Sequence, residues 1–269
     1  MQKRNRLHRQ QKVTGTFAGF GLCMLFLALG GCAGENDENK TPAESEVQAG
    51  VEPEYQYILR ESPLLYAEHP QEENLAGMLQ KAASGMMVRL AAGEVSGSGV
   101  LWKVQGEELW IATAAHVVSQ GMGEVEVTFV DGFHMTVERM DVDTDTDIAL
   151  LAVNLREMDA EHLEEYCVAG VDEASAASLQ TGDDIIVMAS GKGVASEAYE
   201  GKVVNPWIYV EDFRQDMLLV RADAEPGMSG GGIFDSRGHL LGILCGGDEN
   251  GELAAVPVSV VNVFWENGF

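Results

Sequence analysis

From Met86 onward the chain alternates short apolar or β-branched runs with glycine-containing turns. Met86–Leu90, Val100–Val104, Leu109–Ile111, Val125–Val130 and Ile148–Val153 predict strands, and Ile185–Met188, Lys202–Val204, Met217–Val220 and Leu240–Leu244 continue the series. Gly106-Glu107, Asp131-Gly132, Gly191-Lys192-Gly193 and Gly246-Gly247-Asp248 supply the turns. Helical spacing is confined to two places. Leu75, Met78 and Leu79 share a face within Glu72–Lys81, and Val260–Trp265 predicts a short closing helix. Many strands with few helices predict an all-β sandwich or barrel rather than a βαβ sheet. No internal repeat and no nucleotide loop is visible.

The amino-terminal part has a different texture. Five basic residues (Lys3, Arg4, Arg6, Arg9, Lys12) precede an uncharged stretch from Val13 to Gly34, the layout of an export signal. Its end, Leu29-Gly30-Gly31-Cys32, resembles the lipobox of bacterial lipoproteins. That resemblance implies cleavage before Cys32, lipidation of its sulfur, and tethering to the extracytoplasmic face of the cell membrane. Residues 32–54 are acidic with almost no large apolar groups, so they read as a flexible tether. The expected organisation is a signal peptide at 1–31, a tether at 32–54, a helical extension at 55–83 and a folded domain at 84–269.

Charge narrows the partners. The 269 residues hold 17 Lys plus Arg against 43 Asp plus Glu, a net charge of −26. Without the five leading basic residues, 12 face the same 43 acids, giving −31. Such a surface repels phosphate backbones, which makes nucleic acid a poor partner. Of the four cysteines, Cys167 and Cys245 remain once Cys23 and Cys32 are assigned to signal and lipid; the expectation is that they stay unpaired.

Candidate chemistry sits in three short stretches. In Gly227-Met228-Ser229-Gly230-Gly231-Gly232 the glycines permit a tight turn that exposes a hydroxyl and aims backbone N–H groups at a carbonyl oxygen. The string also fits the nucleophile elbow of α/β-hydrolases, but there the acid and the His follow the Ser. Here only His239 follows, so chain order argues against that assignment. Upstream, Thr113-Ala114-Ala115-His116 follows one predicted strand and Asp147-Ile148-Ala149-Leu150 opens another. Asp141, Asp143 and Asp145 form an acidic ladder beside Asp147. A calcium loop would need Gly at 146, which is Thr, and Glu at 152, which is Ala, so a solvated hairpin with Asp147 turned inward is expected. His8, His69, His134, His162 and His239 have no metal-ligand spacing and are expected on the surface. No metal or cofactor is expected.

The order His, Asp, Ser, with these three boxes, resembles the chymotrypsin-fold serine proteases, and Ser96-Gly97-Ser98-Gly99-Val100 is similar to the first hairpin of their bacterial Deg/HtrA branch. The resemblance covers about residues 84–260. It implies two antiparallel six-stranded β-barrels with a cleft between them, His116 and Asp147 from the first barrel, and Ser229 from the second. It further implies a serine endopeptidase acting on proteins or peptides, an oxyanion hole from the N–H groups of Gly227 and Ser229, and a substrate pocket near Asp223, Cys245, Gly246 and Gly247. With forty residues after Ser229, a protease-only version without the PDZ domain that Deg relatives often carry is expected. Met228 departs from the family, which usually has Asp or Asn before the nucleophile. It is expected not to accept the hydrogen bond that fixes the loop, leaving packing or substrate to order it. A catalytically silent protease fold acting as a binding or adaptor module is the alternative.

Overall fold

The computed structural model describes residues 59–61, 75–121, 123–190, 196–223, 225, 227–248 and 251–268. The signal, the tether, Cys32, His8 and His69 lie outside these residues. A short helix α1 (Leu75–Ala83) leads into β1 (Met87–Ala92), β2 (Val95–Gln105) and β3 (Glu108–Ala114), followed by α2 (Ala115–Ser119). Then come β4 (Val125–Thr128), β5 (His134–Thr136), β6 (Arg139–Asp143) and β7 (Ile148–Asn154). After α3 (Ala160–Glu165) and α4 (Glu173–Ala177), the second half runs β8 (Asp184–Ser190), β9 (Ser196–Val210), β10 (Gln215–Ala222), β11 (Gly232–Asp235), β12 (Leu240–Gly247), β13 (Glu252–Pro257) and α5 (Val258–Gly268).

The second half is a closed antiparallel barrel in the order β10-β13-β12-β11-β8-β9. The first half is a seven-stranded sheet, β5-β4-β1-β2-β3-β7-β6, instead of the six strands expected. The extra strand comes from one extended segment, 134–143, divided between the two edges. Its first part pairs with β4 and its last part with β7. At the division, Val137 N–H donates to Val125 O at 2.9 Å while Glu138 N–H donates to Ala152 O at 2.9 Å. Two adjacent residues thus bond to opposite sides of the sheet, which curls the sheet into a partial barrel.

Burial follows the apolar runs of the sequence. β7, with all of Ile148–Val153 buried, is a central strand, whereas β6, largely exposed, is an edge. One continuous apolar cluster runs from Leu79 and Ala83 of α1 through Trp102, Trp110 and Leu151, and across to Met188, Phe234 and Val256 of the second barrel. A second cluster, including Val187, Leu218 and Met228, fills that barrel. α1 is therefore part of the folded body: Leu79 and Ala83 are fully buried, and Gln80 donates to Ser196 O of β9. At the other end α5 returns to the first barrel. Trp265 meets Trp110 edge-on with ring centroids 5.4 Å apart, and the Lys103 ammonium lies 5.3 Å over the Trp265 ring.

Candidate active site

β3 ends in Ala112, Thr113 and Ala114, all fully buried, and their small size lets the second barrel approach closely. The chain turns at once into α2, so His116 stands in the first turn of a helix at the seam. Asp147 closes the β6–β7 hairpin, where Asp143 accepts from the N–H groups of Asp145 and Thr146 and from the Thr146 hydroxyl. The acidic ladder thus builds a hairpin turn, as its composition suggests. Asp147 has φ 57°, a left-handed conformation that Asp tolerates better than most residues.

The Asp147 carboxylate grips His116 at two points. Its Oδ1 accepts from the His116 backbone N–H at 2.9 Å, and its Oδ2 lies 2.9 Å from Nδ1, with Oδ1 3.1 Å from the same nitrogen. Ala115 N–H holds the Asp147 carbonyl at 3.1 Å. The pair is shielded but not sealed, with side chains 29% and 14% exposed respectively. An imidazole held through Nδ1 leaves Nε2 available to take and return a proton.

Ser229 reaches this seam through its backbone. Ser98 N–H of β2 donates to Ser229 O at 2.7 Å, and Thr113 Oγ1 donates to Ser98 O at 2.7 Å. The approach is tight enough to require glycine at two points. A Cβ on Gly97 would lie 2.7 Å from Val117, next to His116, and 2.9 Å from Ser229 O. A Cβ on Gly230 would lie 2.1 Å from Ser98 O and 2.2 Å from Thr113 Oγ1, and its φ of 84° already favours glycine. Gly230 N–H donates to Leu244 O at 2.7 Å, and the next residue, Cys245, places Sγ 3.8 Å from Asp147 O. His116, Asp147 and the Ser229 loop are thus linked around one closed circuit of contacts. Among the described residues, Ser229 Oγ makes no hydrogen bond, including none to His116 Nε2.

Within the loop, Met228 N–H donates to Glu225 O, Gly230 N–H to Leu244 O and Gly231 N–H to Met228 O. Among the described residues no acceptor takes the N–H of Gly227 or of Ser229, the two donors expected to face an oxyanion. Met228 corrects one expectation. Its side chain is buried and its thioether accepts the Glu225 N–H at 3.1 Å, so sulfur supplies both packing and a weak acceptor. Ser98 is the residue whose weight the sequence concealed. Fully buried, its Oγ accepts from Ser190 N–H at 3.0 Å and lies within donating reach of Ser190 O (3.2 Å) and Gly227 O (3.3 Å). Its place in a glycine-rich hairpin was the only available signal.

The expected pocket residues differ in exposure. Asp223 is exposed at the end of β10, where its charge and that of Glu225 add to burial and the nearby Glu197 in raising the Tyr199 phenol. Cys245 is buried against Asp147, and burial pushes its thiol well above the usual range. Gly246 is half-buried beside the Phe213 ring, and Gly247 is exposed. Cys167 and Cys245 are both free thiols. The expectation of surface histidines fails at His239, which is 9% exposed and bonded through Nδ1 to Asp235 Oδ2 at 2.9 Å. Burial alone would raise the Asp235 carboxyl, but the bonds from Ser175, His239 and Arg237 outweigh it and hold it below the ordinary range. His162 is likewise paired, to Asp131, and stacks on Phe133. Among the described residues no three His, Cys, Asp or Glu side chains are grouped to hold a metal ion.

Comparison with known proteins bears on the family and the fold. The chain is 24% identical over 156 residues to the serine protease Do-like HtrA of Bacillus subtilis, covering 55% of this chain and 32% of that protein. It is 27% identical over 152 residues to the serine protease Do-like HtrA of Lactobacillus helveticus, covering 55% and 34%. The chain spans about a third of the length of these curated relatives. The crystal structure of the serine endoprotease from Yersinia pestis superposes with a TM-score of 0.58 over 74% of this chain and 66% of that one, at 19% identity, a likeness of fold. A family model described as a trypsin-like peptidase domain matches residues 97–243, more than half of the chain, and the protein belongs to that family.

Proposed function

We propose that this protein is an exported, membrane-tethered serine endopeptidase that cleaves peptide bonds with Ser229, His116 and Asp147. The observation that carries the reading is the doubly held His116–Asp147 pair at the seam where Ser98 fastens the Ser229 loop. Ser229 Oγ attacks the peptide carbonyl while neutral His116 takes its proton at Nε2. The N–H groups of Gly227 and Ser229 receive the oxyanion, and the same proton passes from His116 to the leaving amine as the acyl-enzyme forms. Water then attacks the acyl carbon, giving a proton to His116, which passes it to Ser229 Oγ as the bond from the acyl carbon to that oxygen breaks and the acid is released. Asp147 keeps Nδ1–H in place and stabilises the imidazolium throughout. Export and attachment through Cys32 rest on the charge and apolar pattern of residues 1–34.

One observation favours a second reading, a protease fold that binds without cutting: Ser229 Oγ lacks a hydrogen bond to His116. Hydrogen bonds of this kind often tighten only when substrate is bound, so the catalytic reading stands first. A fluorophosphonate probe decides between them. Covalent labelling of the folded protein, lost in Ser229→Ala and in His116→Ala, supports the endopeptidase; a folded protein that takes up no label is the adaptor. Labelling with palmitate in a bacterial host, abolished by Cys32→Ala, tests the tether separately.

A further inference from the structure

Among the described residues, two non-glycine positions have left-handed backbone, Asp147 at φ 57° and Arg214 at φ 53°. They lie in different barrels, and one hydrogen bond joins the residues beside them. Gln215, the residue after Arg214 and the first of β10, donates from Nε2 to the carbonyl of Thr146, the residue before Asp147, at 2.8 Å. Each unusual conformation is thus next to an end of the same cross-barrel contact.

We propose that Gln215 is a positioning residue that holds Asp147 in its left-handed conformation and so aims its carboxylate at His116. The inference rests on the reading of His116 as base and Asp147 as its orienting acid. Two peptide planes flank Asp147. The one after it is fixed by Ala115 N–H, which donates to Asp147 O at 3.1 Å. The one before it carries the Thr146 carbonyl, and Gln215 is its partner. With both planes fixed, the Cα–Cβ direction of Asp147 is set, and its carboxylate can meet the His116 N–H and Nδ1 together. Loss of this donor leaves the plane before Asp147 without its partner while the plane after it stays held, so the carboxylate is aimed less tightly at His116.

Neighbouring contacts explain why a side chain from the other barrel is needed. Asp143 accepts the Asp145 and Thr146 donors, which shapes the turn, and among the described residues no backbone N–H takes the Thr146 carbonyl, so its donor comes from outside. Gln215 reaches that carbonyl because its hairpin folds over at residues 211–214, where Phe213 N–H and Arg214 N–H close onto Val210 O and Glu211 O.

The test compares Gln215→Met, which keeps length and volume but has no donor, with Gln215→Lys, which restores one. In a peptide-cleavage assay, Gln215→Met is expected to lower kcat about 10-fold, with KM within about 2-fold. Gln215→Lys is expected to regain most of the lost rate. A second readout needs no turnover: the low-field proton NMR resonance of His116 Nδ1–H should be present in the parent and broadened or lost in Gln215→Met. An unchanged kcat with an unchanged resonance overturns the proposal, as does an equal loss in both variants, or a change confined to KM. A parent protein that neither cleaves nor labels defeats the endopeptidase reading, while the resonance comparison still decides the role of Gln215.

Discussion

Ser98 and Ser229 are joined backbone to backbone across the two barrels, the amide of the first donating to the carbonyl of the second at 2.7 Å. The Ser98 hydroxyl adds a second connection, accepting from Ser190 N–H and standing 3.3 Å from Gly227 O. One residue of the first barrel therefore fastens the candidate nucleophile loop at both ends. Ser98→Ala keeps the amide contact and removes the hydroxyl from a fully buried site. The expected loss is about 1–3 kcal/mol of unfolding free energy, because buried polar partners are left unmatched. Urea denaturation measures it, and a loss under about 0.5 kcal/mol, the size of an ordinary surface change, would refute the role given to the hydroxyl.

Met228 has two separable duties, and two substitutions divide them. Met228→Leu keeps the buried volume but removes the sulfur that accepts the Glu225 N–H, so a loss of up to about 1.5 kcal/mol is expected. Met228→Ala also empties part of the second barrel's core and is expected to cost about 2–5 kcal/mol. Comparable unfolding midpoints for the two would show that packing contributes little.

Acid should weaken the fold through Asp235. Its carboxyl accepts from Ser175 Oγ at 2.7 Å, Arg237 N–H at 2.8 Å and His239 N–H at 2.9 Å, and it titrates below the ordinary carboxylate range. A group whose native pKa is depressed contributes its full stability above its unfolded value, about 3.9, and loses it as pH falls from there through the native value. Asp131, held down by His162, Phe133 and Tyr166 against the opposing effect of burial, acts in the same direction. The urea midpoint of the parent should drop below about pH 4, and its advantage over Asp235→Asn should shrink across that range. A constant gap between the two from pH 7 to acid removes Asp235 from the account.

The two folded-domain thiols should be inert until the protein unfolds. Burial pushes Cys167 up to about 11 and Cys245 well above the usual thiol range, so neither offers a thiolate at neutral pH. Titration of residues 55–269 with a thiol reagent is expected to find almost no reaction in buffer and two equivalents in denaturant. Rapid native reaction at either position would contradict the burial.

Much of the fold was readable because strands with large apolar residues announce themselves. β7 and β8 lie where Ile148–Val153 and Ile185–Met188 placed them. β11 escaped notice since its Gly232 belongs to the glycine string that reads as a nucleophile turn, and β13 since alanine, glutamate and proline make up most of Glu252–Pro257. β5 and β6 are short and largely polar, so their division between two sheet edges left no periodic trace. At the site, residue type and order exposed His116, Asp147 and Ser229 as candidates. The Met228 sulfur contact, the Ser98 hub and the Gln215 bond depend on distances across 69 to 131 positions or on backbone torsion, neither of which a linear pattern encodes.

Trp265 comes after every strand in the order of synthesis, yet it leans on Trp110, laid down in the first barrel. The helix that follows the last strand of the second barrel is thus tied back to a central strand of the first, joining the two halves outside the cleft between them. Indole fluorescence, which reports this ring pair, should therefore follow the seating of α5 on the first barrel.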